Sequence, residues 1–226
     1  MDLVPDRGPQ LLVGNHTLYG VQDAPLMVSE LRARKGFLVR ALGDHAHFAI
    51  PVWGDLLKSL GTVDGTRENC RRLLSAGEVV LVFPGGGREV MKRKGEKYRL
   101  IWKQRLGFVR MAIEHGAPIV PFGAVGGEDT FDIVLDGDTP LAAPLRPLID
   151  RLGGRSDMLP PIARGVAGTA LPRRQRFLFG FAPAIDTKRF AGREGDGSVL
   201  RRLRDQTRTA VEGQIADLLR RREQDL

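Results

Sequence analysis

Five consecutive apolar residues, Val79-Val80-Leu81-Val82-Phe83, stand between Gly77 and Pro84. The run is too short for a helix and too uniformly apolar for a strand with one wet face, so it reads as a strand covered on both sides. Strands of that kind belong to parallel sheets packed between helices, which places the chain in the α/β class. The flanking pattern agrees. Gln10-Leu11-Leu12-Val13 ends in Gly14 and precedes a helical pattern from Ala24 to Lys35, a βα unit. Phe37 to Val39 reads as a second strand, His45 to Leu60 as an aromatic-rich helical stretch, and Arg67 to Ala76 as a helix closed by Gly77. Leu106 to His115 is expected to be helical and Pro118 to Phe122 a buried strand. A helix is expected over Leu141 to Leu152 despite Pro144 and Pro147, then a late strand over Phe177 to Phe181. An amphipathic helix covers 198–223, with Val199, Leu203, Val211, Ile215 and Leu218 on one face. At 226 residues this predicts a single domain over 1–226, an α/β fold with a mostly parallel central sheet flanked by helices.

Other classes drop out. The longest uncharged stretch, Gly8 to Gln22, is interrupted by three glycines, Asn15, His16 and Thr17, well short of the ~20 apolar residues of a membrane span. The acidic start, Met1-Asp2-Leu3-Val4-Pro5-Asp6, lacks the basic and apolar regions of a secretory signal, so a cytoplasmic location is expected. Cys70 is the only cysteine, which rules out an internal disulfide and a cysteine-based metal cluster. No metal site is expected. Cys70 falls inside a helical pattern without a close histidine and reads as a small buried hydrophobe.

The formal charge of +8 is unevenly placed. Arg88 to Arg105 holds eight basic residues against Glu89 and Glu96, and Arg164, Arg173, Arg174 and Arg176 add four more. The remainder is close to neutral, so the expected partner is a localised anion: a phosphate-bearing ligand, an anionic membrane surface or nucleic acid. Tyr98 and Trp102, interleaved with Lys97, Arg99 and Lys103, make base stacking chemically conceivable. The segment 155–176 is apolar yet broken by three prolines, and reads as an irregular loop beside arginines, suited to an interface with lipid.

In parallel sheets ligands bind at the carboxyl edge of the strands. Three strand ends carry unusual residues there: Gly14-Asn15-His16, Pro84-Gly85-Gly86-Gly87-Arg88-Glu89, and Gly123-Ala124-Val125-Gly126-Gly127-Glu128-Asp129. His16 is suited to general base work near neutral pH. The glycine turn could cradle an anion, but it lacks the Gly-Lys-Ser/Thr ending of a P-loop, and no Gly-x-Ser-x-Gly elbow is present.

Four ordered blocks then carry a resemblance. Val13-Gly14-Asn15-His16-Thr17-Leu18-Tyr19-Gly20, Leu60-Gly61-Thr62-Val63, Phe83-Pro84-Gly85-Gly86-Gly87-Arg88-Glu89 and Ile119-Val120-Pro121-Phe122 resemble those of the glycerolipid acyltransferase superfamily. They are most similar to its branch of diacylglycerol acyltransferases and phytyl ester synthases, as is Phe177 to Ile185. The resemblance implies transfer of a fatty acyl group from acyl-CoA or acyl carrier protein to the hydroxyl of a lipid alcohol, with His16 as the base and no bound cofactor. It departs from the superfamily in two places. An aspartate expected five positions after the histidine is Val21, which leaves Asp23 and Glu89 as candidates for orienting His16. Gly85 and Gly87 stand where phosphate-acceptor members carry Glu and Thr, which implies a neutral acceptor. Asn15, Gly20, Gly85, Gly86, Gly87 and Arg88 are expected to bind substrate, and Lys92, Arg93 and Lys94 the donor's phosphates. The implied partners are acyl-CoA, the lipid alcohol and an anionic membrane surface to which the protein is peripheral, with no nucleic acid. A thioester hydrolase and a non-catalytic anion-binding protein are the alternatives.

Overall fold

A computed structural model describes residues 1–140, 144, 147, 151 and 159–224. Its centre is a six-stranded sheet, and the strands and helices alternate along the chain. The strands are β1 (Gln10–Gly14), β2 (Val39–Gly43), β3 (Val63–Asp64), β4 (Val79–Val82), β5 (Ile119–Val125) and, at the far edge, a late strand over Leu178–Phe181. Their order is β3-β2-β4-β1-β5 followed by the late strand, and every pair is parallel except the last, where Phe122 faces Phe181 in antiparallel register. The helices are α1 (Asp23–Lys35), α2 (His45–Phe48), α3 (Trp53–Ser59), α4 (Arg67–Ser75), α5 (Gly86–Val90), α6 (Gly107–Glu114) and α7 (Gly197–Gln224).

The period of two along the strands sorts the core into two layers. Leu11, Val13, Val80 and Ile119 pack with Leu74, Val109, Leu203 and Val211 from α4, α6 and α7. Leu12, Val79, Leu81 and Val120 pack with Met27 and Leu31 of α1 on the opposite face. Both faces of β4 and β1 are covered, as the apolar run required. α7 approaches β5 closely because residue 123 is glycine: a Cβ there would lie 2.8 Å from the Ile215 backbone nitrogen. Local signals set the helix ends. Thr66 caps α4 by accepting from the Asn69 N–H at 3.1 Å, and α1 stops at Gly36, whose φ of 75° is left-handed.

Several expectations need correction. The second strand begins at Val39, where Phe37 to Val39 was expected, and the stretch from His45 to Leu60 is two short helices separated by Pro51. The segment 155–176 is not wholly irregular. Ile162–Arg164 forms a strand, β7, that pairs antiparallel with β6 (Asp132–Leu135), which the apolar pattern did not reveal because β7 is only 3 residues long. The late strand over Leu178–Phe181 is therefore β8. The helix expected over Leu141 to Leu152 lies, apart from isolated positions, outside the described residues, as does 155–158.

The basic stretch also behaves differently from a solvated run. Lys92 and Glu128 form a fully buried ion pair, and the Glu128 carboxylate also accepts from the Tyr98 N–H. Removing one partner leaves an uncompensated buried charge. Lys92→Met alone or Glu128→Leu alone is expected to cost about 3–5 kcal/mol in urea unfolding, and the double variant to recover most of that loss. A double variant no more stable than the worse single one would contradict the pairing.

Candidate functional site

β1, β4 and β5 are adjacent and parallel, so the loops leaving their carboxyl ends converge on one edge, as the strand order had suggested. His16 follows β1 directly and is held at three points. Its Nδ1 lies 2.8 Å from Asp23 Oδ2. Its ring stacks on Phe83, with centroids 3.8 Å apart and planes 7° from parallel. Its backbone N–H donates to Glu89 Oε2 at 3.2 Å.

Of the two candidate carboxylates, Asp23 is the one that meets the imidazole. Its carboxylate is buried at the first position of α1, where Oδ2 also accepts from the Thr17 N–H at 2.8 Å and Oδ1 from the Ala24 N–H at 2.9 Å. Burial alone would raise its pKa, but the neighbouring His16 and these N–H donors outweigh it and hold the carboxyl below its ordinary value. An ionised carboxylate only accepts, so Nδ1 carries a proton toward Asp23, and in the neutral imidazole Nε2 then keeps its lone pair. Asp23 comes seven positions after His16, two later than the superfamily spacing. Tyr19 (φ 62°) and Gly20 (φ 64°) are both left-handed, and this bend folds the longer loop back so that the carboxylate meets the same imidazole. Val21, at the superfamily position, is exposed.

Glu89 is a different kind of residue from the orienting group expected of it. It is fully buried, and its two oxygens accept from the backbone N–H groups of His16 and Ile101. Burial pushes its carboxyl up, against the opposing effects of Lys92 and those two donors. It fixes the His16 backbone and makes no bond to the ring.

The expected substrate-binding residues divide. Gly20 borders the histidine ring: a Cβ there would fall 2.5 Å from His16 Nε2. Asn15 is taken up by the sheet. Its amide donates to the Ala124 carbonyl at 2.9 Å and accepts from the Ala124 N–H at 2.8 Å, so it is buried as a side-chain rung of the sheet. Gly85 makes room for Glu89, whose Oε2 lies 2.3 Å from where a Gly85 Cβ would sit. Gly86 is left-handed at φ 53° and lies beneath the Arg105 guanidinium, while Gly87 is the next residue of α5. Arg88 is already engaged: it donates to the Met91 carbonyl at 3.1 Å and to both Glu96 oxygens at 2.6 and 2.9 Å. Burial disqualifies Lys92 as a phosphate ligand, and Arg93 pairs with Asp138 at 2.7 Å. The Lys94 side chain is exposed.

Other residues give the arrangement its chemical limits. Cys70 is buried, and burial followed by the nearby Glu114 pushes its thiol up to about 11, so it supplies no thiolate nucleophile at neutral pH. Trp102 is 1% exposed and packs edge-on against Phe108, and the Tyr98 hydroxyl is bound to Asp129, so neither ring is presented for base stacking. Among the described residues no cluster of three His, Cys, Asp or Glu side chains could hold a metal. Among the same residues no helix is long and apolar enough to cross a membrane. Two features of the site escaped the sequence reading. One is the stack on Phe83, which strand order makes possible because β4 borders β1. The other is the Tyr19 hydroxyl, which donates to the Pro161 carbonyl at 2.8 Å and ties the His16 loop to the start of β7.

Residues 1–125 match the family model described as Acyltransferase. The chain is 33% identical to phytyl ester synthase 1, chloroplastic, of Arabidopsis thaliana, over 98% of this chain and 34% of that protein. It is 32% identical to the human DGAT1/2-independent enzyme synthesizing storage lipids, over 54% of this chain and 37% of that one. The chain thus spans about a third of the length of these curated relatives. The crystal structure of the 1-acyl-sn-glycerophosphate acyltransferase PlsC from Thermotoga maritima aligns over 96% of this chain and 68% of that one, at 14% identity and a TM-score of 0.48. With more than half of its length matched by the family model, and the His16–Asp23 pair inside the matched part, the chain belongs to the acyltransferase family.

Proposed function

We propose that the chain transfers a fatty acyl group from a thioester of CoA or acyl carrier protein to the hydroxyl of a neutral lipid alcohol. The observation that carries this reading is the 2.8 Å contact between His16 Nδ1 and the buried Asp23 carboxylate, which leaves Nε2 as a base. The acceptor O–H proton moves to Nε2 as the oxygen bonds to the thioester carbonyl carbon. The tetrahedral intermediate collapses with cleavage of the C–S bond, and the departing thiolate takes the proton back from the imidazolium. A hydroxyl is a weak nucleophile at neutral pH, and a positioned base contributes ~10²–10⁴ in rate. The backbone of the glycine turn beside Phe83 is the proposed donor set for the oxyanion. An acceptor without a phosphate is supported by Arg88, whose guanidinium is neutralised by Glu96.

A lipid acceptor calls for contact with a membrane surface. Ile162 is 62% exposed and Leu171 is 68% exposed, and the exposed Arg164 and Arg174 lie in the same stretch of chain, which suits insertion of apolar side chains with guanidinium groups on anionic headgroups. The protein in this reading is peripheral to the membrane, on the cytoplasmic side.

With purified protein, labelled palmitoyl-CoA and a panel of lipid alcohols, mass spectrometry should find a labelled ester. His16→Ala and Asp23→Asn are expected to lower turnover by ~10²–10⁴ while shifting thermal unfolding by only a few degrees. Cys70→Ser should keep activity. Labelled free acid in place of ester with every alcohol would establish a hydrolase instead.

Gly20→Ala should lose activity out of proportion to stability. The added methyl meets Nε2 and a left-handed φ opposes it, so kcat is expected to fall by about tenfold or more with a stability loss of about 1–2 kcal/mol. Unchanged kcat would show that acceptor does not approach along this side of the ring.

Vesicle co-sedimentation tests the membrane contact. Wild type should pellet with anionic vesicles at low salt, and a variant with Leu159, Ile162, Val166 and Leu171 changed to Ser should stay in the supernatant. Equal partitioning of the two proteins would remove this loop from the interface.

A further inference from the structure

The ion pairs of the basic stretch leave a pattern that charge counting conceals. Arg88, Lys92, Arg93 and Lys97 are matched with Glu96, Glu128, Asp138 and Asp129. Among the described residues, no carboxylate pairs with the side chains of Arg99, Lys103 or Arg105. These three are exposed, and they lie on a segment whose alternate residues, Leu100 and Trp102, are buried in the core. The segment is thus a ribbon rooted in the core through Leu100 and Trp102, with its three cations in solvent.

The ribbon runs beside the reactive histidine. Its Ile101 N–H donates to Glu89 Oε1 at 3.1 Å, while His16 donates to the other oxygen of the same carboxylate, so the two backbones are one carboxylate apart. Arg105 lies across the glycine turn, with Nη1 2.4 Å from the position a Gly86 Cβ would take. Left-handed non-glycine residues stand at both ends, Tyr98 at φ 60° and Lys103 at φ 48°. Tyr98 is fixed by its hydroxyl on Asp129, and the Lys103 carbonyl accepts from the Arg204 guanidinium of α7. Nearby acids do not cancel the field, since Glu96 and Asp129 are already paired with Arg88 and with Lys97 and Arg222.

We propose that Arg99, Lys103 and Arg105 form a track for the phosphates of the acyl donor, placing its thioester arm over the glycine turn toward His16. This rests on the acyl-transfer reading and assigns the donor side of that site. The chemistry recognised is a phosphate joined to a pantetheine thioester, which both CoA and an acyl carrier protein carry.

The test compares three palmitoyl donors: the CoA thioester, the carrier-protein thioester and the phosphate-free N-acetylcysteamine thioester. In the variant Arg99→Gln, Lys103→Gln, Arg105→Gln, KM for a phosphate-bearing donor should rise about tenfold with kcat within about twofold, and its salt dependence should flatten. KM for the phosphate-free thioester should not move. A matched change, Arg32→Gln, Arg34→Gln, Lys35→Gln at the far end of α1, should leave all three unchanged. A rise for the CoA arm alone, or for the carrier arm alone, identifies the source of the phosphate. An equal rise for the phosphate-free donor, or no rise for either phosphate donor, overturns the track. Isothermal titration with CoA alone separates this outcome from failure of the acyl-transfer reading. If no donor turns over but the triple variant loses CoA binding that wild type shows, the track stands and the reaction does not, whereas equal CoA binding by both proteins refutes the track.

Discussion

A carboxylate taken out of water at the start of a helix is the constraint on which the site rests. Asp23 is fully buried, and leaving it ionised there requires donors aimed at both oxygens. The N–H groups of Thr17 and Ala24 and the imidazole of His16 supply them, and the positive end of α1 adds to their effect. The same requirement dictates the loop between β1 and α1, because Thr17 can reach the carboxylate only if the chain doubles back at Tyr19 and Gly20. The orientation of His16 is thus a by-product of solvating a buried charge with protein groups.

A second buried carboxylate works on the backbone. Glu89 joins the chain at His16 to the chain at Ile101, and the space it occupies is the space a side chain at residue 85 would need. Two glycines of the turn therefore have separate reasons to be small or flexible. Gly85 yields volume to Glu89, and Gly86 adopts a left-handed φ under Arg105. A glycine-rich sequence looks like an anion cradle whichever of these reasons applies.

The α/β class and the parallel direction of β1, β4 and β5 were legible because they follow from short, fully apolar strands that alternate with helices. His16 was legible because it terminates one of them, and the grouping of its loop with the glycine turn and the stretch after β5 follows from parallel topology alone, although Gly123 to Val125, read as part of that loop, still belong to the strand. Pairing across the chain was not legible. Nothing local in the sequence says that Lys92 meets Glu128 or that Arg88 meets Glu96, so a run of cations looked uniformly available when half of it is matched. Asn15 misled in the same way: next to a histidine at a strand end it looked like a ligand, and only the register of β5 reveals what its amide bonds. Asp23 and Glu89 could not be ranked because one lies in a loop whose bend depends on two left-handed residues, and the other is brought close by the strand order.

The paired hydrogen bonds between the Asn15 amide and Ala124 have a consequence for motion. They extend the ladder between β1 and β5 by one rung beyond the last backbone pair, at the residue immediately before His16. An amide locked in that way exchanges its hydrogen only when the rung opens, and here the rung joins two interior strands of the sheet. The Ala124 amide should consequently exchange with solvent deuterium on the slow timescale of the core strands, although its partner is a side chain in a loop. Fraying of the β1–α1 loop then stops short of the base, and the position of His16 drifts no more than the middle of the sheet does.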